Sequence, residues 1–290
     1  MTGDLPRVGA VVLSQGTRPV ELERALTTLL AQVGVDLDVV LVGNGWVPVG
    51  LPEGVRTLHL PENVGIPEGR NVGAAEVRGD VLFFYDDDCA LPTDDVVARL
   101  IAVLDADPQV AVVQPRPVDP TGAPGQPRWV PRPGGRDPLR PGAVGWFWEG
   151  TFAVRREVFE RAGGWPGHFW YGHEGVELAW RIWDLGFVTW YAPDVVTNHP
   201  SLPPTKHDVY YRLNARNRVW VARRNLPWAL VPVYLAVWSA ITVVRFRSAR
   251  TLRLWLAGFR EGLMCDPGPR RPMRWATVWR LTRAGRPPVV

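Results

Sequence analysis

The sequence has few cysteines and almost no lysine, and it lacks the glycine motifs of several common enzyme classes. Its two cysteines, Cys89 and Cys265, form no CxxC pair, which excludes a disulfide framework and favours a reducing compartment. The single lysine, Lys206, follows Pro-Pro-Thr rather than a glycine-rich loop, which excludes a P-loop NTPase. The absence of GxGxxG before a helix and of GxSxG argues against dinucleotide-binding enzymes and α/β-hydrolases.

The positive charge is carried almost entirely by arginine and is concentrated late in the chain. With one lysine among 33 basic residues, 32 are arginine, and the formal net charge is +4. Arginine is scarce in residues 1–60 and dense after residue 210, which predicts an anionic partner. Because this tail lacks the interleaved aromatic residues of nucleic-acid grooves, we predict an anionic membrane surface and no nucleic acid.

The hydrophobic pattern predicts an α/β fold. Strand-like and helix-like segments alternate over the first half of the chain, which predicts a mostly parallel sheet with helices on both faces. The predicted strands are residues 8–13, 39–42, 81–85, 110–114, 152–154 and 188–191. The predicted helices are residues 19–32, 67–77, 93–104 and 172–185.

The chain divides into two predicted regions. Residues 1–222 form the α/β domain, and residues 223–290 form a basic, apolar helical region. Within the domain, residues 115–142 are rich in proline, glycine and arginine, so we expect a long loop without regular elements.

An uncharged run at residues 226–244 is flanked by arginines on both sides. Its length is marginal for a membrane-spanning helix, and Pro227 and Pro232 interrupt it. We favour a helix pair that lies on the membrane over a spanning helix and over a buried helical subdomain. Because the opening MTGDLPRVGA does not resemble a signal peptide, we expect this association on the cytoplasmic side of the cell membrane.

Polar segments follow the first three predicted strands. Ser14 follows the first strand, and Gly43 and Asn44 follow the second. Ligands of parallel sheets bind beyond the carboxyl ends of the strands, so we expect a binding site at this edge.

Three adjacent aspartates, Asp86, Asp87 and Asp88, follow the third predicted strand. Their charges repel one another and need a cation or solvent. Asp86 and Asp88, two residues apart, predict a Mg²⁺ or Mn²⁺ site that phosphate oxygens complete. The alternative is a solvated turn that leads into a helix.

A glycine-containing loop precedes the second predicted helix. Gly65 permits close backbone approach, and the helix N-terminus can face an anion. Asn63, Arg70 and Asn71 are placed to reach a phosphate or ribose. The alternative is an ordinary loop-to-helix transition with a surface arginine.

Aromatic residues and carboxylates crowd together before and within the last predicted helix of the domain. Trp165 and its aromatic neighbours predict stacking on a sugar ring, and Glu174 predicts a base that removes a hydroxyl proton. For Glu177 we favour a structural ion pair with Arg181, four residues later. His173 lies beside this group.

Taken together, these segments resemble the inverting family 2 glycosyltransferases of the GT-A fold. The resemblance extends over about residues 7–220, and the ordered set of motifs is specific. The motifs are Val11-Val12-Leu13-Ser14, Asn63-Val64-Gly65, Arg70-Asn71-Val72-Gly73, Phe84-Tyr85-Asp86-Asp87-Asp88, Gly163-Gly164-Trp165 and His173-Glu174 with Leu178-Ala179-Trp180-Arg181.

The resemblance implies a nucleotide-diphosphate sugar donor and a divalent metal, Mn²⁺ or Mg²⁺. Asp86 and Asp88 match the DxD positions that hold the metal and the donor diphosphate. His199 matches a late histidine that binds the metal in several members, and Glu174 matches the carboxylate beside the acceptor hydroxyl. The donor-binding residues implied are Ser14, Gly43, Asn44, Asn63, Gly65, Arg70, Asn71 and Asp87.

Two positions depart from the family pattern. Gly43 stands where an aspartate usually reads the nucleobase or ribose. Gly175 stands where the second acid of a Glu-Asp pair, often the catalytic base, usually lies. We therefore predict Glu174 as the base, with Glu177 and His173 as alternatives.

The arginine-rich tail resembles actinobacterial cell-envelope members of the family, which implies a glycan or lipid-linked acceptor. We expect Trp148, Glu149, Trp165 and His173 on the acceptor side. The predicted function is metal-dependent, inverting sugar transfer in cell-envelope polysaccharide synthesis. The alternative, motivated by Gly175, is a non-catalytic nucleotide-sugar-binding module or scaffold at the membrane.

Overall fold

The computed structural model describes residues 5–201, 208–246 and 248–289, so Lys206 lies outside the described residues. The strands are β1 (Arg7–Ser14), β2 (Asp36–Asn44), β3 (Val55–Leu60), β4 (Val81–Asp86), β5 (Val110–Val118), β6 (Gly142–Val144), β7 (Thr151–Arg155) and β8 (Val188–Asn198). The α-helices are α1 (Pro19–Leu30), α2 (Ile66–Glu76), α3 (Val96–Ala106), α4 (Arg156–Arg161), α5 (Glu174–Asp184), α6 (Asp208–Asn225), α7 (Leu230–Arg245), α8 (Ala249–Met264) and α9 (Trp275–Arg283).

All of these strands form one sheet, in the order β3-β2-β1-β4-β7-β5-β8-β6. Strands β3, β2, β1 and β4 are parallel to one another, and β5 is parallel to β8. Strand β7 runs antiparallel to β4 and β5, and β6 runs antiparallel to β8. The predicted mostly parallel α/β sheet is confirmed, with two antiparallel insertions that the pattern does not reveal.

Alternation along β1 divides the core into two layers. Val8, Ala10 and Val12 join a hydrophobic cluster with α1 and α3 on one face of the sheet. Val11 joins a second cluster with α2, α4 and α5 on the other face. Because β1, β2 and β4 are parallel, their carboxyl ends lie at the same edge of the sheet. Helices cover both faces, so this edge is where polar side chains meet solvent.

Strands β3 and β6 are not predicted from the sequence. Strand β3 is half-exposed and includes Arg56 and His59, so it lacks the apolar run of a buried strand. Strand β6 has only three residues. Helix α3 begins at Val96, with Asp95 rather than the predicted Thr93 at its N-cap, because the chain before it forms a turn.

Strand β5 extends further than predicted, to Val118, so the segment 115–142 is not wholly irregular. Pro115 and Pro117 are tolerated there because the pairing with β8 shifts register between Pro115 and Arg116. The rest of the segment contains two short 3₁₀ turns before β6.

The C-terminal region is helical, as predicted, and it packs on the α/β domain. The predicted boundary between residues 222 and 223 falls inside α6. Across the described residues, we find no helix with the length and apolar character needed to cross a membrane. One hydrophobic cluster contains Phe169, Trp180, Trp183, Trp220, Leu226, Tyr234 and Leu281.

A buried ion-pair network joins α5 to α6. Glu177 is completely enclosed, and its carboxylate accepts hydrogen bonds from Arg181 and, at 2.9 Å, from Nε of Arg224. The pairing with Arg181 confirms the prediction, whereas Arg224 lies 47 residues away in the sequence. One buried carboxylate therefore compensates two arginines that are themselves almost fully enclosed.

Replacing Glu177 tests this network. We expect Glu177→Ala to lower the free energy of unfolding by about 3–5 kcal/mol, because it leaves two enclosed cations without their anion. Glu157→Ala is the matched control, since Glu157 pairs with Arg161 at the same helical spacing but is 79% exposed. We expect Glu157→Ala to lower the free energy of unfolding, measured by urea denaturation, by about 0.5 kcal/mol or less. Equal losses in the free energy of unfolding for the two variants would contradict the role of Glu177 in a buried ion-pair network.

Candidate functional site

A cavity of about 460 Å³ opens at the edge of the sheet where β1, β2 and β4 end. This is the expected ligand position in an open α/β sheet. Trp170, Tyr171 and Tyr210 contribute aromatic walls. Six of the eight predicted donor-binding residues line the cavity, namely Ser14, Asn44, Asn63, Gly65, Arg70 and Asp87, and Asp86 lies beside them.

An amide network fixes the entrance to α2. Nδ2 of Asn44 donates to Oδ1 of Asn63 at 3.0 Å, and the same Asn63 oxygen accepts from the backbone N–H of Gly65 at 2.9 Å. Gly65 has φ of 88°, and a Cβ there would lie 2.7 Å from the Trp170 Cα. The glycine is therefore required both by conformation and by close approach.

Gly43 and Asn71 do not line the cavity. A Cβ at Gly43 would collide with Pro48, at 2.7 Å from its Cδ, so this glycine allows the chain to turn tightly after β2. The Asn71 amide is engaged with Trp165: Nδ2 donates to the Trp165 carbonyl at 3.0 Å, and Oδ1 accepts from its N–H at 2.9 Å. These contacts give both residues a structural role in shaping the site.

Two arginines pair with the three adjacent aspartates. Nη2 of Arg70, on α2, donates to Oδ1 of Asp86 at 2.6 Å. Arg18 donates to Asp87 at 2.7 Å and also to Asp88. The sequence pattern does not single out Arg18, although it follows the polar loop after β1 in a part of the chain where arginine is scarce.

Asp86 and Asp87 are harder to ionise than ordinary carboxyl groups, because their pKa values are raised. Burial raises the pKa of Asp86 to about 6, with the charge of Arg70 opposing the shift. Burial raises the pKa of Asp87 to about 6 as well, with a hydrogen bond from the Ser14 hydroxyl at 2.6 Å opposing it. Additional positive charge near these aspartates therefore stabilises their ionised forms.

A candidate metal-binding group lies beside this cluster. The ligand atoms of Asp88, Cys89 and His199 all lie within 4.8 Å of one another, with Oδ1 of Asp88 3.4 Å from Nε2 of His199. A carboxylate and an imidazole suit Mn²⁺, so the residues fit a divalent cation. Cys89 was not predicted, although it directly follows the aspartates. Asp86, the other predicted ligand, pairs with Arg70 and lies outside this group.

A second acidic pair, Glu149 and Glu174, also feels the charge of Arg70. Oε1 of Glu149 accepts the backbone N–H of Gly175 at 3.0 Å. Burial, and then the neighbouring charge of Glu174, raises the pKa of Glu149 to about 8, while Arg70 opposes the shift. Burial also raises the pKa of Glu174, which is 5% exposed.

The predicted acceptor-side aromatic residues have different environments. Trp148 is partly exposed, and its ring lies 5.0 Å from that of His199. Trp165 is only 2% exposed and packs edge-on against Phe84, so, contrary to the prediction, it has no free face for a sugar ring. His173 lines a separate cavity of about 50 Å³.

The raised pKa of Glu149 predicts a pH-dependent effect of Glu149→Gln on stability. Below about pH 5 both side chains are neutral, so the variant and the wild type should unfold at similar temperatures. As the pH rises from about 4.5 to about 8, residue 149 ionises in the unfolded wild type but stays protonated in the folded protein, so the wild type loses stability relative to the neutral glutamine variant. Above about pH 8 the folded wild type carries a charge that burial and Glu174 disfavour, and the loss stays at its full value. We expect the Tm of the variant to exceed that of the wild type there by about 2 °C or more, in calorimetry. A Tm difference that stays constant between pH 5 and 9 would contradict the perturbed pKa.

Comparison with known proteins identifies a family match. The model of the family described as "Glycosyl transferase family 2" matches residues 18–163, half of the chain. No curated protein sequence matches significantly.

Solved structures share the fold at low sequence identity. A mannosyltransferase, PcManGT from Pyrobaculum calidifontis, has a TM-score of 0.56 at 20% identity, over 97% of this chain and 73% of that one. GalNAc-T7 has a TM-score of 0.61 at 18% identity, over 90% of this chain and 55% of that one. TarS residues 1–349 from S. aureus have a TM-score of 0.62 at 13% identity, over 89% of this chain and 81% of that one.

Proposed function

Because the chain belongs to glycosyl transferase family 2, we propose that it moves a sugar from a nucleotide-diphosphate sugar to a hydroxyl of a glycan or lipid-linked acceptor. The proposal includes inversion at the anomeric carbon, dependence on Mn²⁺ or Mg²⁺, and a role in cell-envelope polysaccharide synthesis. The observation that carries it is one cavity lined by residues of the amide network, by Arg18 and Arg70, and by Asp86 and Asp87.

The ligands of the structural neighbours support this class of donor. PcManGT was solved with GDP-Man and Mn²⁺, and GalNAc-T7 with UDP, GalNAc and Mn²⁺. TarS was solved with UDP-GlcNAc. A nucleoside diphosphate carries the negative charge that Arg18 and Arg70 complement at the cavity wall.

The chain's residues offer two groups for the chemistry. Asp88 and His199 would hold the divalent cation, which would stabilise the negative charge that develops on the departing diphosphate. The acidic pair Glu149 and Glu174 offers carboxylates as the proton acceptor for the acceptor hydroxyl. Arg70 pairs with Asp86, and its charge also opposes the raised pKa of Glu149.

A non-catalytic nucleotide-sugar-binding module is the second candidate. Gly175 favours it, because the acid that often serves as the base in this family is absent at that position. Donor binding without any sugar transfer distinguishes this candidate from the enzyme.

Donor binding tests the proposal directly. We expect at least one of GDP-Man, UDP-GlcNAc and UDP-GalNAc to bind in calorimetry, and to bind more tightly when Mn²⁺ is present. Asp88→Asn should reduce turnover by about 10²–10⁴-fold, because it weakens the group that offsets the diphosphate charge. Glu157→Gln, on the exposed face of α4, is the control. If none of these donors binds in either condition, the proposed donor class is wrong.

Exposed apolar side chains in the C-terminal region support a second part of the proposal, association with the cytoplasmic face of a membrane. Trp275 and Trp279 on α9 are 54% and 65% exposed, four residues apart on one face. Arg283 is exposed one turn further on, and Trp228 is 65% exposed before α7. Tryptophan and arginine on one helix face suit the interface of an anionic bilayer.

Vesicle co-sedimentation tests this association. We expect the protein to sediment with vesicles containing phosphatidylglycerol and much less with pure phosphatidylcholine. The double variant Trp275→Ser/Trp279→Ser should bind about tenfold more weakly, since it removes the apolar area that enters the interface. Val33→Ser, which changes an exposed apolar residue after α1, serves as the control. Unchanged binding by the double variant would show that α9 is not the contact.

A further inference from the structure

The space left by Gly175 is occupied by another carboxylate. A Cβ built at Gly175 would lie 2.6 Å from both Cδ and Cγ of Glu149, closer than real side chains approach. Glu149 lies in the connection between β6 and β7, 26 residues before Gly175. A carboxylate from a different segment therefore fills the volume that a side chain at residue 175 would need.

The backbone around Glu149 holds it beside the aspartate cluster. The Gly150 carbonyl accepts the backbone N–H of Asp86 at 2.8 Å, which fixes this connection to the end of β4. A Cβ at Gly150 would lie 2.7 Å from the Trp148 ring, so the glycine lets the indole pack against the chain. The Glu149 side chain extends to the N-terminus of α5, where it accepts the Gly175 N–H at 3.0 Å.

Glu149 and Glu174 differ in their access to solvent. Glu174 is 5% exposed, and its Oε2 is buried without a hydrogen-bond partner among the described residues. Glu149 is only partly buried, so it is the more accessible of the two carboxylates. After burial, the charge of Glu174 is the main cause that raises the pKa of Glu149, and the charge of Arg70 opposes it. This pairing of two carboxylates with different exposure is a common way to separate their roles.

We propose that Glu149 is the catalytic base, a carboxylate relocated from residue 175 to the β6–β7 connection. This proposal rests on the proposed sugar transfer. The acceptor hydroxyl gives its proton to Glu149 while its oxygen forms a bond to the anomeric carbon. The bond from that carbon to the diphosphate oxygen breaks, and its electron pair leaves with the diphosphate. Glu174 acts as a positioning residue beside Glu149.

Moving the carboxylate back to residue 175 tests the proposal. The variants are Glu149→Gln, Glu149→Ala and the double variant Glu149→Ala/Gly175→Asp. The probes are GDP-Man, UDP-GlcNAc and UDP-GalNAc with Mn²⁺, octyl glycosides as acceptors, and donor hydrolysis measured in parallel. Glu157→Gln controls for loss of a carboxylate elsewhere.

We expect both single variants to bind donor like the wild type and to lose about 10²–10⁴-fold in kcat. Glutamine keeps the shape and can still accept the Gly175 N–H, so a purely structural role would leave Glu149→Gln active. The double variant should regain at least about tenfold over Glu149→Ala, because an aspartate in the first turn of α5 restores a base near the same position.

The outcomes separate this inference from the proposed function. Transfer by the wild type with an active Glu149→Gln variant, or a double variant no better than Glu149→Ala, would overturn the role of Glu149 alone. Donor binding by the wild type without transfer or hydrolysis would overturn catalysis and favour the binding module. Absence of donor binding in every variant would overturn the donor class.

Discussion

Compensation of buried negative charge is the constraint on which the site depends. Strand β4 is buried up to Tyr85 and ends at Asp86, which Asp87 and Asp88 follow directly. Three adjacent carboxylates in a largely enclosed setting cannot all remain ionised without cations. Arg18 reaches Asp87 and Asp88 from the start of α1, and Arg70 reaches Asp86 from α2. The positions of α1 and α2 against the sheet are thus tied to the same charges that form the cavity wall.

The same principle applies in the C-terminal half. Glu177 neutralises Arg181 and Arg224, and this network joins α5 to α6 within the aromatic cluster around Trp180 and Trp220. Helix α5 also carries Glu174 at its N-terminus. Packing of the C-terminal helices therefore supports α5, which carries Glu174 and whose Gly175 N–H donates to Glu149, so the two predicted regions are physically connected.

Much of the site could be predicted from the sequence because its residues follow buried strands. Ser14, Asn44 and Asp86 lie at strand ends, and the sheet brings such positions to one edge. Arg18 and Cys89 were missed, because pairing and ligand geometry depend on distances that linear spacing does not reveal. The relation of Glu149 to Gly175 was missed for the same reason, since the two residues come from distant segments.

Parts of the fold were harder to predict where the pattern was weak. The half-exposed strand β3 and the short strand β6 lack a continuous apolar run. The prolines in β5 are typical of loops, and only the register shift in the pairing with β8 shows why a strand tolerates them. For Trp165 the sequence predicted a function where the structure shows a core residue. An aromatic residue near carboxylates suggested contact with a sugar, but its ring is buried in the core.

A crystal structure with Mn²⁺ and GDP or UDP tests the charge-compensation account most directly. We expect the anomalous signal to place Mn²⁺ within bonding distance of Asp88 and His199, and the diphosphate to lie in the adjacent cavity, facing Arg18 and Arg70. Manganese bound elsewhere, or a nucleotide outside this cavity, would contradict it.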